Sequence, residues 1–430
     1  MNIIDLINKK NNKGILTKRE IEFFVKGFSC DEISKEDATK FLTAIYNNGL
    51  NLTETTNLTL SMARSGDIID LTDVGDCVDK HSTGGVSDTT TLVIVPLLAS
   101  LGVKVAKMSG RSLGWTGGTA DKVEVFDGYN NDLSVEEFKN NINKIGACLI
   151  SQSDKLAVAD KKIYKLRDET GLVDNISLIA SSIMSKKIAC GAKILLLDVK
   201  YGNGAFMQKF QDAKKLAKTM VKIGNKAGIK TSAVISNMNE PLSNYIGNNL
   251  EVYSAIEVLN GKDNNLSKLS KIIVATILKN IGKVETIEEG INLASENLKN
   301  KKALKKFEQI IKYQGGNIYK LTNSEILLHS EKCVEIKATK TGYISKILCK
   351  KLGDCVHKVC YLEEDKNAKN MVGLKLLKSK NDYILKGETI AVLNYYKAKD
   401  LKKIIKEIKA AFVISKNKGK EFDLVKEIIF

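Results

Sequence analysis

Two short segments of this chain carry the residue types that hold an anion. Asp79-Lys80-His81-Ser82-Thr83-Gly84-Gly85 sets a cation, an imidazole and hydroxyls beside two glycines, and Asp88-Thr89-Thr90-Thr91 then opens an apolar run. Glycines let backbone N–H groups turn toward one point, and a helix N-terminus adds its positive end. Lys107-Met108-Ser109-Gly110-Arg111 and Thr116-Gly117-Gly118-Thr119 repeat the same design. Neither segment is a GxxxxGK[ST] loop or a GxGxxG turn. Placed at the ends of neighbouring strands, the two would enclose one phosphate. With no acidic cluster nearby to hold magnesium, inorganic phosphate or a sugar phosphate suits them better than a metal-bound nucleotide. His81, one of three histidines, stands inside the first segment, where it could give a proton or a hydrogen bond to a leaving group. Downstream come Arg167 and then Ser182 and Lys186, four apart on one helical face. They could read the edge of a planar, carbonyl-bearing ligand; a solvated helix face is the plainer alternative.

The elements around these residues follow from hydrophobic period. Residues 1 to 66 read as helices, with apolar positions at three and four spacing and with Thr17, Asp31 and Thr53 placed as N-caps. From Cys77 the period changes: CVD as strand, TLVIVPLLASLG as helix, VKVAKM as strand, VEEFKNNINKIG as helix, ACLI as strand. Such alternation predicts an α/β sheet, whose ligands collect at the carboxyl ends of strands, where both glycine segments fall. Residues 161 to 191 return to helix before the buried strand KILLLDV, as an insertion packing back on residues 1 to 66 would. Residues 248 to 313 read as largely helical. From about Cys333 strand-turn-strand patterns take over, with DLKKIIKEIKAAFVISK as a closing helix. The expected architecture is α/β: a discontinuous small helical domain (1–70 with 160–192), a larger α/β domain with a central mixed sheet (71–159 with 193–332), and a C-terminal α+β domain (333–430).

Composition narrows the classes. The chain of 430 residues is 43% hydrophobic and 27% charged, an ordinary globular balance. Its net charge of +17 is spread along the whole length and carried by Lys rather than Arg, which argues against a nucleic-acid reader. The N-terminus lacks the order of a signal peptide, and no apolar run approaches the roughly 20 residues of a membrane span. A cytoplasmic protein is expected. The eight cysteines form no CxxC pair; the cluster Cys355, His357, Cys360 lacks a fourth zinc ligand and is read as reduced thiols.

Taken in order, DKHSTGGVSDTTT, KMSGRSLGWTGGTADKVE, ADKKIYKLRDET, ASSIMSKK, LDVKYGNGAFM and AVISNMNEPL resemble the pyrimidine-nucleoside phosphorylase and thymidine phosphorylase family, over nearly the whole chain. The resemblance implies reversible phosphorolysis of a pyrimidine nucleoside to free base and (deoxy)ribose 1-phosphate, with phosphate as co-substrate and no organic cofactor. It implies Lys80, Ser82, Thr91, Lys107, Ser109 and Thr119 as phosphate contacts. Arg167, Ser182 and Lys186 would hold the pyrimidine, Tyr164, Leu113 and Phe206 would wall it, and His81 would assist at the base O2. It also implies a homodimer paired through the helical domain, and closure of the α/β domain onto that domain.

Several positions depart from the family pattern. Trp115 stands where GHTGGT has its His, so a latch to the loop near Gly202 and Gly204 should differ. A monovalent cation would belong near Ser87, Thr89 and Leu242, but an acidic position that helps bind it in some relatives is Ser254, which argues against potassium dependence. Gly171-Leu172-Val173 replaces ATV near the base site, and CYLEEDKNAKN replaces a glycine- and arginine-rich stretch. Two alternatives stay open: a phosphoribosyltransferase of the anthranilate type, and a degenerate phosphorylase kept as a ligand-binding protein.

Overall fold

The computed structural model describes residues 1–112, 117–360, 365–397 and 399–430, so Leu113 and Trp115 lie outside the described residues. Four amphipathic helices begin the chain: α1 (Ile3–Asn11), α2 (Lys18–Ser29), α3 (Lys35–Asn48) and α4 (Leu52–Ala63). Thr17 caps α2 as expected, in a reciprocal box with Glu20. The other two expected caps are displaced. Ser34 caps α3 and Asn51 caps α4, because a cap needs extended backbone and a side-chain oxygen three residues ahead of a free N–H. Asp31 instead sits in left-handed backbone at φ 62, and Thr53 already lies inside the first turn of α4.

The next segment alternates as its period dictates. Strand β1 (Val78–Ser82) is followed by α5 (Thr90–Ser100), β2 (Val105–Ser109), α6 (Thr119–Val123), α7 (Val135–Ile145) and β3 (Ala147–Ser151). Helices α8 (Val158–Thr170) and α9 (Ile176–Ala189) intervene before β4 (Ile194–Tyr201), α10 (Phe210–Lys226) and β5 (Lys230–Asn237). Ala159, Ile163, Leu166 and Leu178 of α8 and α9 enter the same core as Phe24, Phe41 and Leu58 of the first helices, so the insertion completes that bundle. The strands β3, β2, β1, β4 and β5 run parallel in that spatial order. Apolar α5 is buried along nearly its whole length beneath them, as expected of a helix covering a parallel sheet.

The remainder builds a cover and a second lobe. Strand β6 (Tyr245–Ile246) leads into α11 (Asn248–Leu259), α12 (Asn265–Asn280), α13 (Ile287–Lys299), α14 (Lys302–Tyr313) and the short α15 (Tyr319–Thr322). Then come β7 (Lys332–Lys337), β8 (Gly342–Ile347), α16 (Cys349–Cys360), α17 (Lys366–Met371), β9 (Gly373–Leu376), β10 (Tyr383–Ile384) and β11 (Thr389–Tyr395). The chain ends with α18 (Leu401–Lys409), β12 (Phe412–Ser415) and β13 (Val425–Ile429). The expected closing helix is therefore cut short: Phe412-Val413-Ile414-Ser415, rich in β-formers, pairs with β8. Strand β13 leaves the lobe altogether and runs antiparallel against β5, which makes the central sheet mixed. Among the described residues no helix is long and apolar enough to cross a membrane.

Candidate active site

Both glycine segments leave the carboxyl ends of adjacent strands, β1 and β2. On β1, Lys80 is 1% exposed. Its Nζ donates to Thr90 Oγ1 at 2.7 Å and lies 3.3 Å from Asp198 of β4. Lys200, also on β4, stands 2.7 Å from the same carboxylate. Ser82 donates to Asp88, whose other oxygen accepts from Thr90 Oγ1 at 2.6 Å. Burial opposes the charge of Asp88, yet Lys200, Lys80 and these hydroxyls hold its carboxyl well below the usual carboxylate range. Thr91 lies buried in the first turn of α5.

On β2, Lys107 donates to the Met108 carbonyl at 2.8 Å and stands 3.6 Å from Asp79. Ser109 is buried, and its Oγ has no hydrogen-bond partner among the described residues. Thr119 opens α6 behind Gly118. Arg111 turns to its own neighbours, donating to Asp121 at 3.0 Å and Glu124 at 2.8 Å. Lys366 of α17 joins Glu124 at 2.8 Å, so an ion network ties the second glycine segment to the C-terminal lobe.

His81 Nε2 is covered and has no partner among the described residues. Burial, followed by the positive field of Lys187, Lys107, Lys80 and Lys186, pushes the imidazole well below its ordinary value. It is a neutral ring at pH 7, able to donate one N–H but not a readily lost proton.

The second group of residues lies on α8 and α9. Lys186 pairs with Asp160 at 2.5 Å and donates to Ser182 Oγ at 3.2 Å. Arg167 is buried, and its guanidinium donates to the carbonyls of Leu172 at 3.0 Å, Leu178 at 3.2 Å and Val173 at 2.9 Å. Three of its five N–H groups are thereby spent on backbone carbonyls, two in the turn after α8 and one in the first turn of α9. Burial lowers its pKa from the ordinary value despite Asp160 and Tyr164. The Tyr164 ring lies 5.9 Å from the guanidinium carbon. Phe206, in the loop after β4, is 45% exposed. Leu113 falls outside the described residues.

The two groups meet at the end of α9. Consecutive Lys186 and Lys187 turn to different bodies: Lys186 to Asp160 of α8, Lys187 to Asp79 of β1 at 2.7 Å. Sequence reasoning missed Lys187, Asp160, Asp198 and Lys200. For the last two a signal existed, since Asp198 and Lys200 share one face of an otherwise apolar, wholly buried strand, and buried charges require partners.

Two family descriptions match the chain: "Glycosyl transferase family, helical bundle domain" over residues 4–66 and "Glycosyl transferase family, a/b domain" over residues 74–304. A pyrimidine-nucleoside phosphorylase of Staphylococcus haemolyticus (strain JCSC1435) is 43% identical over 398 residues, covering 92% of each chain. One of Staphylococcus aureus (strain bovine RF122 / ET3-1) is 42% identical over 419 residues, 96% of each. Among solved structures, anthranilate phosphoribosyltransferase from Thermus thermophilus superposes with a TM-score of 0.60 at 17% identity, over 72% of this chain and 99% of its own. That last likeness is one of fold.

Proposed function

The chain belongs to the pyrimidine-nucleoside phosphorylase family, and from that premise we propose that it catalyses reversible phosphorolysis of uridine, deoxyuridine and thymidine to free base and (deoxy)ribose 1-phosphate, in nucleoside salvage. The observation that carries this reading is the two-part site. Lysines and hydroxyls gather at the ends of β1 and β2, and a separate set of donors rides on the helical bundle.

In the proposed reaction Lys80, Ser82, Thr91, Lys107, Ser109 and Thr119 hold phosphate beside the sugar. The C1′–N bond breaks with its electron pair leaving on the base, and a phosphate oxygen forms the new bond to C1′. Cationic character at the sugar is met by the bound phosphate. Charge on the departing base is met by Lys186, by the two N–H groups Arg167 has not spent, by Ser182, and by a hydrogen bond from neutral His81 to O2. Tyr164 and Phe206 wall the base. The helical body (1–70 with 160–192) carries the base and pairs two copies in a homodimer, while the sheet (71–159 with 193–332) carries phosphate. Closing one on the other brings the reactants together.

A potassium ion does not suit the residues present. Ser87 Oγ is engaged with Ser243 Oγ at 2.8 Å and Thr89 Oγ1 with Glu251 at 3.1 Å. The Glu251 carboxylate is already paired to the ammonium of Lys122 at 2.7 Å, which also donates to the Asp88 carbonyl at 2.8 Å. A cytoplasmic setting belongs to the same reading, supported by Cys77, Cys148, Cys190, Cys349 and Cys355, which lie buried as thiols. The phosphoribosyltransferase alternative ranks second, because the acids of the first glycine segment, Asp79 and Asp88, face lysines rather than a site for magnesium diphosphate.

The test is incubation of the purified protein with each nucleoside, with and without phosphate, following base release by ultraviolet absorbance. Release that requires phosphate is expected. No release from any pyrimidine nucleoside would leave a ligand-binding protein.

A further inference from the structure

Two lysines from different bodies of the fold converge on one carboxylate. Lys187, on α9, donates to Asp79 at 2.7 Å and to the Met108 carbonyl at 2.9 Å. Lys107, on β2, reaches the same two acceptors at 3.6 and 2.8 Å. Both are buried, so the two ammonium groups share a single negative charge in a poorly solvated place.

The surrounding groups do not supply a second one. On β1, Lys80 adds a further positive charge and is itself held by Asp198 and Thr90, and His81 is neutral. At the end of α9, burial pushes the Cys190 thiol up to about 11, so it too is neutral at pH 7. The excess is relieved at Lys107: burial, then Lys187, lowers it to about 7. Lys187 goes the other way: burial, the largest single influence, lowers it, but Asp79 together with smaller contributions from its other neighbours leaves it raised. One polar atom in the same neighbourhood, Ser109 Oγ, is covered and lacks a partner among the described residues. It marks a place where an anion's oxygen would lie.

We propose that Lys187 is a positioning residue for the phosphate pocket: by sharing Asp79 with Lys107 it makes anion binding at Lys107 take up a proton, and it ties that event to the helical bundle. The proposal rests on the reading of Lys107 and Ser109 as phosphate contacts. The sign follows from the charges. An anion beside Lys107 favours its protonated form, so protons are taken up above about pH 7, where free Lys107 is neutral. Affinity then falls by up to about tenfold per pH unit as pH rises past 7.

Titration calorimetry in buffers of different protonation enthalpy tests this, with inorganic phosphate and with sulfate, which has no titration of its own in this range. For the unaltered protein, sulfate binding with proton uptake is expected at about pH 8 and without it at about pH 6. Lys187→Gln frees Asp79 for Lys107 alone. It should bind sulfate about tenfold more weakly at pH 6, for want of one charge, with the gap closing at higher pH as proton uptake disappears. Lys187→Arg should restore both. Weakening by the same factor at every pH would reveal a merely structural role and overturn the proposal. So would an unaltered protein that binds anion without proton uptake, or binds none, whether or not Lys187→Gln folds. If base release fails while the sulfate pattern holds, phosphorolysis falls and the role of Lys187 stands.

Discussion

At the scale of single residues, the state of His81 limits what it can contribute. Buried and surrounded by Lys187, Lys107, Lys80 and Lys186, it stays neutral through physiological pH. In the proposed reaction it would then give the departing base one hydrogen bond rather than a delivered proton. His81→Ala should lower kcat about 100-fold, in line with loss of one preorganised donor. His81→Gln, which keeps an N–H, should recover part of that loss. The unaltered protein should show no acid limb near the ordinary histidine value of about 6.5; a limb there that vanishes in His81→Gln would make the imidazolium the working form. The sequence made His81 a candidate through its place among glycines and hydroxyls. Its charge state was not legible, because two of the four lysines around it come from α9, over a hundred positions along the chain. Arg167 shows the converse. Its rarity drew attention, but the turn at Leu172 and Val173 that absorbs its donors depends on φ/ψ values that no residue count supplies.

Elements set the spacing of the proposed phosphate contacts, and Gly118 shows how tightly. As the residue before α6 it passes so close to the end of β2 that a Cβ would stand 2.3 Å from the Arg111 carbonyl carbon and 2.4 Å from the Ser112 nitrogen. Both are backbone atoms and cannot swing aside. Gly118→Ala must therefore move either the start of α6, with Thr119, or the segment after Ser109. We expect sulfate and phosphate affinity to fall by at least about tenfold, since the contact geometry tolerates little displacement, with the far-ultraviolet circular dichroism unchanged. Unchanged anion affinity would show that Thr119 lies outside the pocket. Strands β1 to β5 and their helices were legible because burial on both faces gives unbroken apolar runs between glycine turns. Helix ends were less so: Ser34 and Asn51 outcompeted Asp31 and Thr53 through backbone geometry. The run after Ile408 looks helical in period, but its β-formers find a partner in β8.

For the whole molecule, the most consequential pairing is the one that joins the chain's last strand to its central sheet. β13 lies along β5, with Val425 opposite Ser236 and Ile429 opposite Ala233. The Asn237 N–H donates to the Leu424 carbonyl at 2.9 Å, and Glu427 pairs with Lys214 of α10 at 2.7 Å. Nothing in the sequence near 425 announces this partner, since pairing across such a separation is decided by which sheet edge is left uncovered. β5 is buried from Thr231 to Asn237, so without β13 it would present a long apolar edge with unpaired backbone groups, a template for aggregation. The consequence reaches the site. Asn239, just beyond β5, accepts from the Asn203 N–H at 3.1 Å, and Asn203 in turn accepts from the Cys349 N–H at the start of α16 at 2.6 Å. The loop that carries Phe206 is therefore braced from β5 on one side and from the C-terminal lobe on the other. Removing residues 420–430 should lower the melting midpoint by roughly 5–10 °C. It should cause concentration-dependent association in sedimentation, and raise KM for nucleoside more than for phosphate, because the braced loop carries Phe206, proposed to wall the base. A truncated protein with an unchanged midpoint, still monodisperse at high concentration, would show that β5 holds its edge unaided and that the loop takes its position from the lobe alone.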